Sequence, residues 1–263
     1  MITHLSDIII YTLFGFAVLF PFFLWFTPRK IIDSGFYNFN LGLSGLLGGM
    51  AIVLFISGKS YLPILFGMIG WLGLHLAITF FYWNSGKVSN IVVSISSVVG
   101  GIIFSYLMIH LLPIDKPVIV ILMAMISQAI VASVLFAMIL GHWYLNVIQL
   151  PIRLLQKASN GLAGLLSIRL IWNLFQFPSV RILNDYGVSQ TLLQYLQTLD
   201  GFFLGVAFFF GIIVPFSLHF LIWRTLKLHA TQSATGLLYI SVLSIMVGDL
   251  CYKFILFQDG LIL

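Results

Sequence analysis

Glutamate is absent from the sequence, cysteine occurs once, and charged residues make up only 7% of it. Each scarcity excludes something. The single thiol, Cys251, can form no internal disulfide, and among apolar neighbours it reads as an inert filler. With so few charges the chain cannot clothe a soluble globule in polar side chains. There is no Walker loop, HExxH pair, paired cysteine or nucleophile elbow, so the usual nucleotide-binding, metalloprotease and hydrolase devices are missing. Seven aspartates stand against twelve Lys and Arg, and the net charge of +5 comes from loop cations. That pattern suits membrane orientation and argues against nucleic-acid binding.

What is present is apolar length. Of 263 residues, 61% are hydrophobic, and the mean hydropathy is +1.13. A span needs about 20 largely apolar residues to cross a hydrocarbon core of about 30 Å. Eight runs qualify: 8–26, 39–56, 62–83, 90–112, 118–140, 161–177, 202–223 and 234–257. Breaks fall at Pro28, Gly58, Ser85 and Gly86, Pro113 and Pro117, Pro151, Pro178 and the polar run 227–233. The expected fold is therefore all-α, a polytopic membrane bundle of eight helices forming one transmembrane domain over residues 1–263. Residues 1–7 carry no basic cluster, so the first run is expected to be a retained span rather than a cleaved signal.

Lysine and arginine in short loops stay on the cytoplasmic side. With the N-terminus outside, Arg29, Lys30, Lys87, Arg153, Lys157, Arg224 and Lys227 fall inside, and Lys59, Lys116 and Arg181 outside. The expectation is an inner, cytoplasmic membrane with both termini outside. Two connections exceed a turn. Residues 150–157 form a basic amphipathic piece suited to the interface, while residues 178–200 place Val188, Leu192, Tyr195 and Leu199 at helical spacing, a surface helix or docking site. Small residues at four-residue spacing, Gly45 with Gly49 and Ser97 with Gly101 and Ser105, point to close helix packing.

Polar residues within the runs carry the chemistry. Asp249 lies inside the last one with Lys253 four residues on, a spacing that puts both on one helix face. A charge at membrane depth costs roughly 3 kcal/mol or more, so such groups face a bundle interior, a cavity or a partner. His75 lies in the third run, Gln128 in the fifth, and Arg169 with Asn173 in the sixth. At 1.5 Å per residue Arg169 is about 12 Å and Asp249 about 22 Å from the cytoplasmic end, within reach of a cross-bundle pair. Such a pair either fixes helix register or serves a proton-moving or headgroup-binding site in which Asp249 and His75 titrate. Haem b is a second constellation: iron in a bundle needs histidines at equal depth on facing helices, for which His142 and His219 stand toward the inner side, and His4 and His110 toward the outer.

In VGDLCYKFILFQDG, the residues Gly248, Leu250, Lys253, Phe254, Phe257 and Gly260 resemble the last helix of the membrane-anchor subunits of polysulfide reductase and DMSO reductase. That resemblance implies an eight-helix subunit that holds an iron–sulfur partner to the membrane and binds a quinone, with Lys253 and Asp249 among the functional polar groups. A quinol site needs hydrogen bonds to two ring oxygens, an apolar slot and a proton route. His75, Arg169 and Asp249 are the candidates for the polar tasks, and Trp71, Tyr82 and Trp172 for the walls. The expected function is thus a quinone-reactive anchor subunit of a respiratory oxidoreductase complex, in contact with membrane lipid and an electron-transfer subunit. The alternatives are a transmembrane b-type cytochrome, a small secondary transporter using Arg169 and Asp249, or a purely structural subunit.

Overall fold

Prolines and glycines cut the apolar sequence into helices. The computed structural model describes residues 4–28, 31–58, 61–83, 89–112, 117–147, 150–179, 182–183 and 189–263. Helix α1 (Leu5–Leu19) tightens into a 3-10 turn, Phe20–Phe26, where Pro21 has no N–H to continue the α ladder. Next come α2 (Ser34–Gly58), α3 (Leu62–Trp83), α4 (Asn90–Leu111) and α5 (Pro117–Asn146). Pro63 and Pro117 sit in first turns, where a missing donor costs nothing. Helix α6 spans Arg153–Gln176.

A two-residue ribbon follows, Ile182–Leu183 antiparallel to Ser189–Gln190, and then the one-turn helix α7 (Leu192–Tyr195), opened by a Thr191–Gln194 capping box. Helix α8 (Leu199–Phe208) passes through a π turn, Phe209–Ile213, into α9 (Val214–Lys227). Pro215 explains that turn: it lacks the donor for the Gly211 carbonyl and its ring crowds that group, so the backbone widens. Helix α10 (Thr231–Asp259) ends at Gly260, whose left-handed φ of 66° suits a residue without a Cβ.

The all-α polytopic bundle stands, and the protein is an integral membrane protein whose apolar helices meet lipid. The helix count is corrected: among the described residues seven helices are long and apolar enough to cross a membrane, not eight. The missing one is α6. It turns Arg169 and Asn173 inward, whereas Ile168, Ile171, Leu174 and Phe175 are exposed along one stripe. Its polar groups are inside and its apolar face outside, so its average composition understates its fit to a lipid-facing bundle. An even count no longer supports both termini lying outside. Residues 153–157 belong to α6 itself rather than to a separate interfacial helix. Of the expected surface helix or docking site over residues 178–200, Leu192 and Tyr195 fall in the one-turn α7 and Leu199 opens α8, with the ribbon ahead of them; Val188 lies outside the described residues. So do the loop cations Arg29, Lys30, Lys59, Lys87, Lys116 and Arg181, together with Ser85, Gly86 and Pro113.

Buried side chains gather in three clusters. One surrounds Phe136 with Phe20, Phe23 and Phe36, a second surrounds Trp71 with Phe14 and Phe104, and the third lies beneath α7 with Tyr195, Leu204, Tyr252 and Ile255. Gly45 packs on Leu76 and His75, as small-residue spacing predicts. Ser97, Gly101 and Ser105 instead line a shallow groove of about 270 Å³. Tyr195 fastens the α6–α8 connection to the bundle, its hydroxyl donating to Asp259 Oδ2 at 2.5 Å. Burial, reinforced by Asp259 and Asp200, raises the Tyr195 phenol above its usual ionisation range, so this bond keeps its proton through neutral pH.

Candidate functional site

The deepest charges meet where α1, α5 and α10 converge. Lys253 is 1% exposed and Asp249 5%. Spaced one turn apart on α10, they form an ion pair through Lys253 Nζ and Asp249 Oδ2. The ammonium has two further partners. Thr12 Oγ1 of α1 accepts at 2.9 Å. With the Gln128 amide oxygen turned toward the ammonium, it accepts at 3.0 Å while the amide nitrogen donates to the Thr12 carbonyl at 3.2 Å. All three ammonium protons are thereby used, and the Tyr11 ring lies 4.7 Å from Nζ. Ser127 of α5 donates to the other carboxylate oxygen, Asp249 Oδ1.

Two close approaches make this cluster possible. A Cβ on Gly15 would lie 2.4 Å from Gln128 Cγ, so glycine there lets Gln128 reach Thr12 and Lys253. A Cβ on Gly248 would lie 2.2 Å from the Gly211 nitrogen, so α10 and the π turn touch backbone to backbone beside Asp249. Ser244 then donates to the Phe210 carbonyl at 2.6 Å, satisfying a carbonyl of the widened turn.

Arg169 approaches from α6 but does not pair with Asp249. It is 5% exposed, stacks its guanidinium over the Tyr252 ring at 3.8 Å and donates from Nη2 to the Leu263 carbonyl at 3.0 Å. Asn173, one turn on, donates to the Tyr252 hydroxyl at 2.5 Å. Tyr252 thus stands where a direct Arg169–Asp249 contact was expected. The Gly260 turn brings the residues after it back over α6, and Trp172 Nε1 donates to the Ile262 carbonyl at 3.0 Å. Among the described residues Arg169 Nε and Asn173 Oδ1 are buried without a hydrogen-bond partner.

Space around the cluster is small on the inside and large on the outside. A cavity of about 20 Å³ is lined by Tyr11, Met123, Ser127, Arg169, Tyr252 and Lys253. Another of about 10 Å³ lies between Arg169 and Asp249. Each is at the scale of one water molecule. Outside, α5 and α6 enclose an apolar groove of about 370 Å³, lined by Leu122, Met123, Ile126, Ile168, Ile171, Trp172 and others. Met123 borders both the inner cavity and the outer groove. A separate cleft of about 340 Å³ lies between α3 and α4, with Tyr61 stacked on His110 at 4.3 Å and Tyr106 on its wall.

The other predicted residues are dispersed. His75 is fully buried in the α1–α4 half, with Nε2 3.0 Å from the Leu41 carbonyl, Nδ1 3.2 Å from Ser96 Oγ, and Trp71 stacked at 5.3 Å. Trp71 fills space left by Gly48 and Gly100 and donates to the Ser96 carbonyl at 2.9 Å. Tyr82 packs edge-on to Phe81 in another cluster. Only Arg169, Trp172, Asp249 and Lys253 come together. His142 turns to the Tyr239 hydroxyl of α10 at 3.3 Å and His219 to Ser159 of α6 at 3.0 Å, and their own helices α5 and α9 share at most a marginal contact. His4 lies against Phe257 and His110 against Tyr61. Among the described residues no group of three or more His, Cys, Asp or Glu is placed to hold a metal.

Thr12, Ser127 and Tyr11 were not singled out by sequence reasoning. Their signal was weak, a hydroxyl residue in an apolar run, and only the convergence of three helices gives it meaning. No family model matches the chain, and no curated protein or solved structure shows significant similarity to it.

Proposed function

We propose that the chain is the integral membrane subunit of an oxidoreductase complex in an inner, energy-conserving membrane, where it binds a quinol and takes up the protons the quinol releases. The observation that carries this reading is Arg169. Its guanidinium, with Nε unpartnered among the described residues, shares one water-sized cavity with the Asp249 carboxylate and another with Met123, which also lines the outward apolar groove. A quinol losing two electrons and two protons becomes a quinone. The electrons pass to an iron–sulfur partner subunit, because a chain with one cysteine supplies no cluster ligands of its own. Arg169 donates to a ring oxygen, and Asp249, paired with Lys253, receives the two protons one after the other through the water-sized cavity between Arg169 and itself, passing the first to water before it takes the second. The likeness of the last helix to the anchors of polysulfide and DMSO reductases supports the same reading. The cation bias of Arg153, Lys157, Arg224 and Lys227 directs that end of the bundle to the cytoplasm.

The test is purification of the chain from its native membrane in mild detergent, with mass spectrometry of its companions and an assay of quinol oxidation. An iron–sulfur subunit and quinol-dependent electron transfer are expected. A chain that purifies alone and oxidises no quinol would contradict the proposal. A second reading, a proton-coupled transporter, is favoured by the π turn lying on Gly248 beside Asp249, since such turns recur at functional sites. Proton-driven uptake by the isolated chain in liposomes would establish it instead.

A further inference from the structure

We infer that residues 261–263 form a strap that seals the inner cavity, and that lifting it admits water to the Asp249–Lys253 pair. The inference deepens the proposed function, because a proton that Asp249 passes to water needs a way out of the bundle, but the strap itself rests on geometry alone. Leu261, Ile262 and Leu263 line the cavity of about 20 Å³ together with Ser127, Arg169 and Lys253. The strap lies at the end of the bundle where α10 finishes and α1 begins, the end marked by the His4–Phe257 ring contact.

Little holds the strap in place. The chain reverses at Gly260 in the left-handed conformation, and a Cβ there would meet nothing within 4 Å, so a larger residue would feel only the backbone strain. Beyond the turn, among the described residues, no backbone-to-backbone hydrogen bond reaches 261–263. Two side chains of α6 supply the ties: Trp172 Nε1 donates to the Ile262 carbonyl and Arg169 Nη2 to the Leu263 carbonyl, each at 3.0 Å. The Leu263 side chain is buried in the cluster of Tyr252 and Ile255. A stretch held this way opens at lower free-energy cost than the helices beneath it. Arg169 couples the strap to the site, for it lines both inner cavities. While Nη2 serves the Leu263 carbonyl, that donor is not free for a ligand. Lifting the strap frees it and opens the wall that Ser127 shares, and the Ser127 hydroxyl leads directly to Asp249 Oδ1.

The test puts a reporter thiol in the cavity, Ser127→Cys, in the full chain in nanodiscs, with Cys251→Ala removing the native one. Sulfonatoethyl methanethiosulfonate, an anion that arrives from water and is larger than the closed cavity, reads the opening by mass spectrometry. Slow labelling is expected with the strap intact. Labelling about fivefold faster or more is expected in Trp172→Phe, which removes one tie, and in Gly260→Val, which strains the turn. Ser133→Cys, a 1% exposed site on α5 about 9 Å farther along the helix, should stay slow in every background. Because the reporter alters the bond to Asp249, hydroxyl-radical footprinting of Tyr252, 4% exposed and on the walls of both cavities, repeats the comparison in chains without it. Unchanged rates in both strap variants overturn the strap, and so does fast labelling with the strap intact. Equal acceleration at Ser127 and Ser133 also overturns it, since the whole bundle would then be loosening. No quinol enters this assay, so a strap that opens as expected stands even in a chain that oxidises no quinol, and a failed strap leaves the quinol reading untouched.

Discussion

Among the described residues, the polar centres around His75 and around Lys253 differ in what they leave unfinished. His75 in α3 has both ring nitrogens occupied and an indole across its face. The Lys253 ammonium is equally well satisfied, but its surroundings are not closed: next to it lie a partly unpartnered guanidinium, an unpartnered amide oxygen and two cavities of molecular size. Burial of a polar group by itself therefore says little about function in a membrane bundle. Hydrogen-bonding capacity left over beside a space says more, because a ligand needs both: the His75 half leaves one hydroxyl, Ser97 Oγ, on a shallow groove, whereas the Lys253 side leaves a guanidinium nitrogen and an amide oxygen.

The strongest way to break the comparison is to remove one charge. Lys253→Met strands Asp249 and is expected to cost about 3–5 kcal/mol, with the double variant Asp249→Asn/Lys253→Met recovering part of the loss. Thermal unfolding in nanodiscs reads both. A Lys253→Met protein that melts with the wild type would mean that water already reaches the pair.

Crowding the helix crossing comes next. Gly248→Ala forces a Cβ against the π-turn backbone and should cost roughly 1–3 kcal/mol, while Gly236→Ala on the same helix meets nothing within 4 Å and should be neutral or slightly stabilising. Equal melting of the two alanine variants would show that the crossing is looser than described.

His75→Leu sharpens the contrast from the other side. It removes the bond to the Leu41 carbonyl, which keeps its own donor within α2, and the stack on Trp71, so a loss of about 1–2 kcal/mol is expected while the folded complex keeps its quinol turnover. The smallest effect is expected from Tyr195→Phe. Loss of its bond to Asp259 should cost about 1 kcal/mol and speed proteolysis of the α7 connection without changing turnover. If cleavage of that connection is no faster, α7 is held by packing alone.

The spans were legible because a run of apolar residues between prolines and glycines has few alternatives to a helix. The third, 62–83, coincides with α3, and the fourth differs from α4 by one residue. Helix α6 was harder, because an inward-facing arginine and asparagine lower its mean composition while leaving its outer face fully apolar. The Asp249–Lys253 pair was readable from spacing along one helix. Its partners Thr12 and Gln128 were not, since they depend on which way three separate helices face. Depth along the span brought Arg169 and Asp249 to similar levels but carried no rotational information, and so could not place Tyr252 between them. Trp71 and Tyr82 were chosen as site walls for being aromatic, yet each fills a packing space of its own.

The most direct measurement compares quinol oxidation by the purified complex in wild type, Asp249→Asn and His75→Leu, each normalised to folded chain. At least a tenfold loss in Asp249→Asn with turnover retained in His75→Leu is predicted. Retained turnover in Asp249→Asn, or a loss confined to His75→Leu, would contradict the assignment of function to the α5, α6 and α10 side of the bundle.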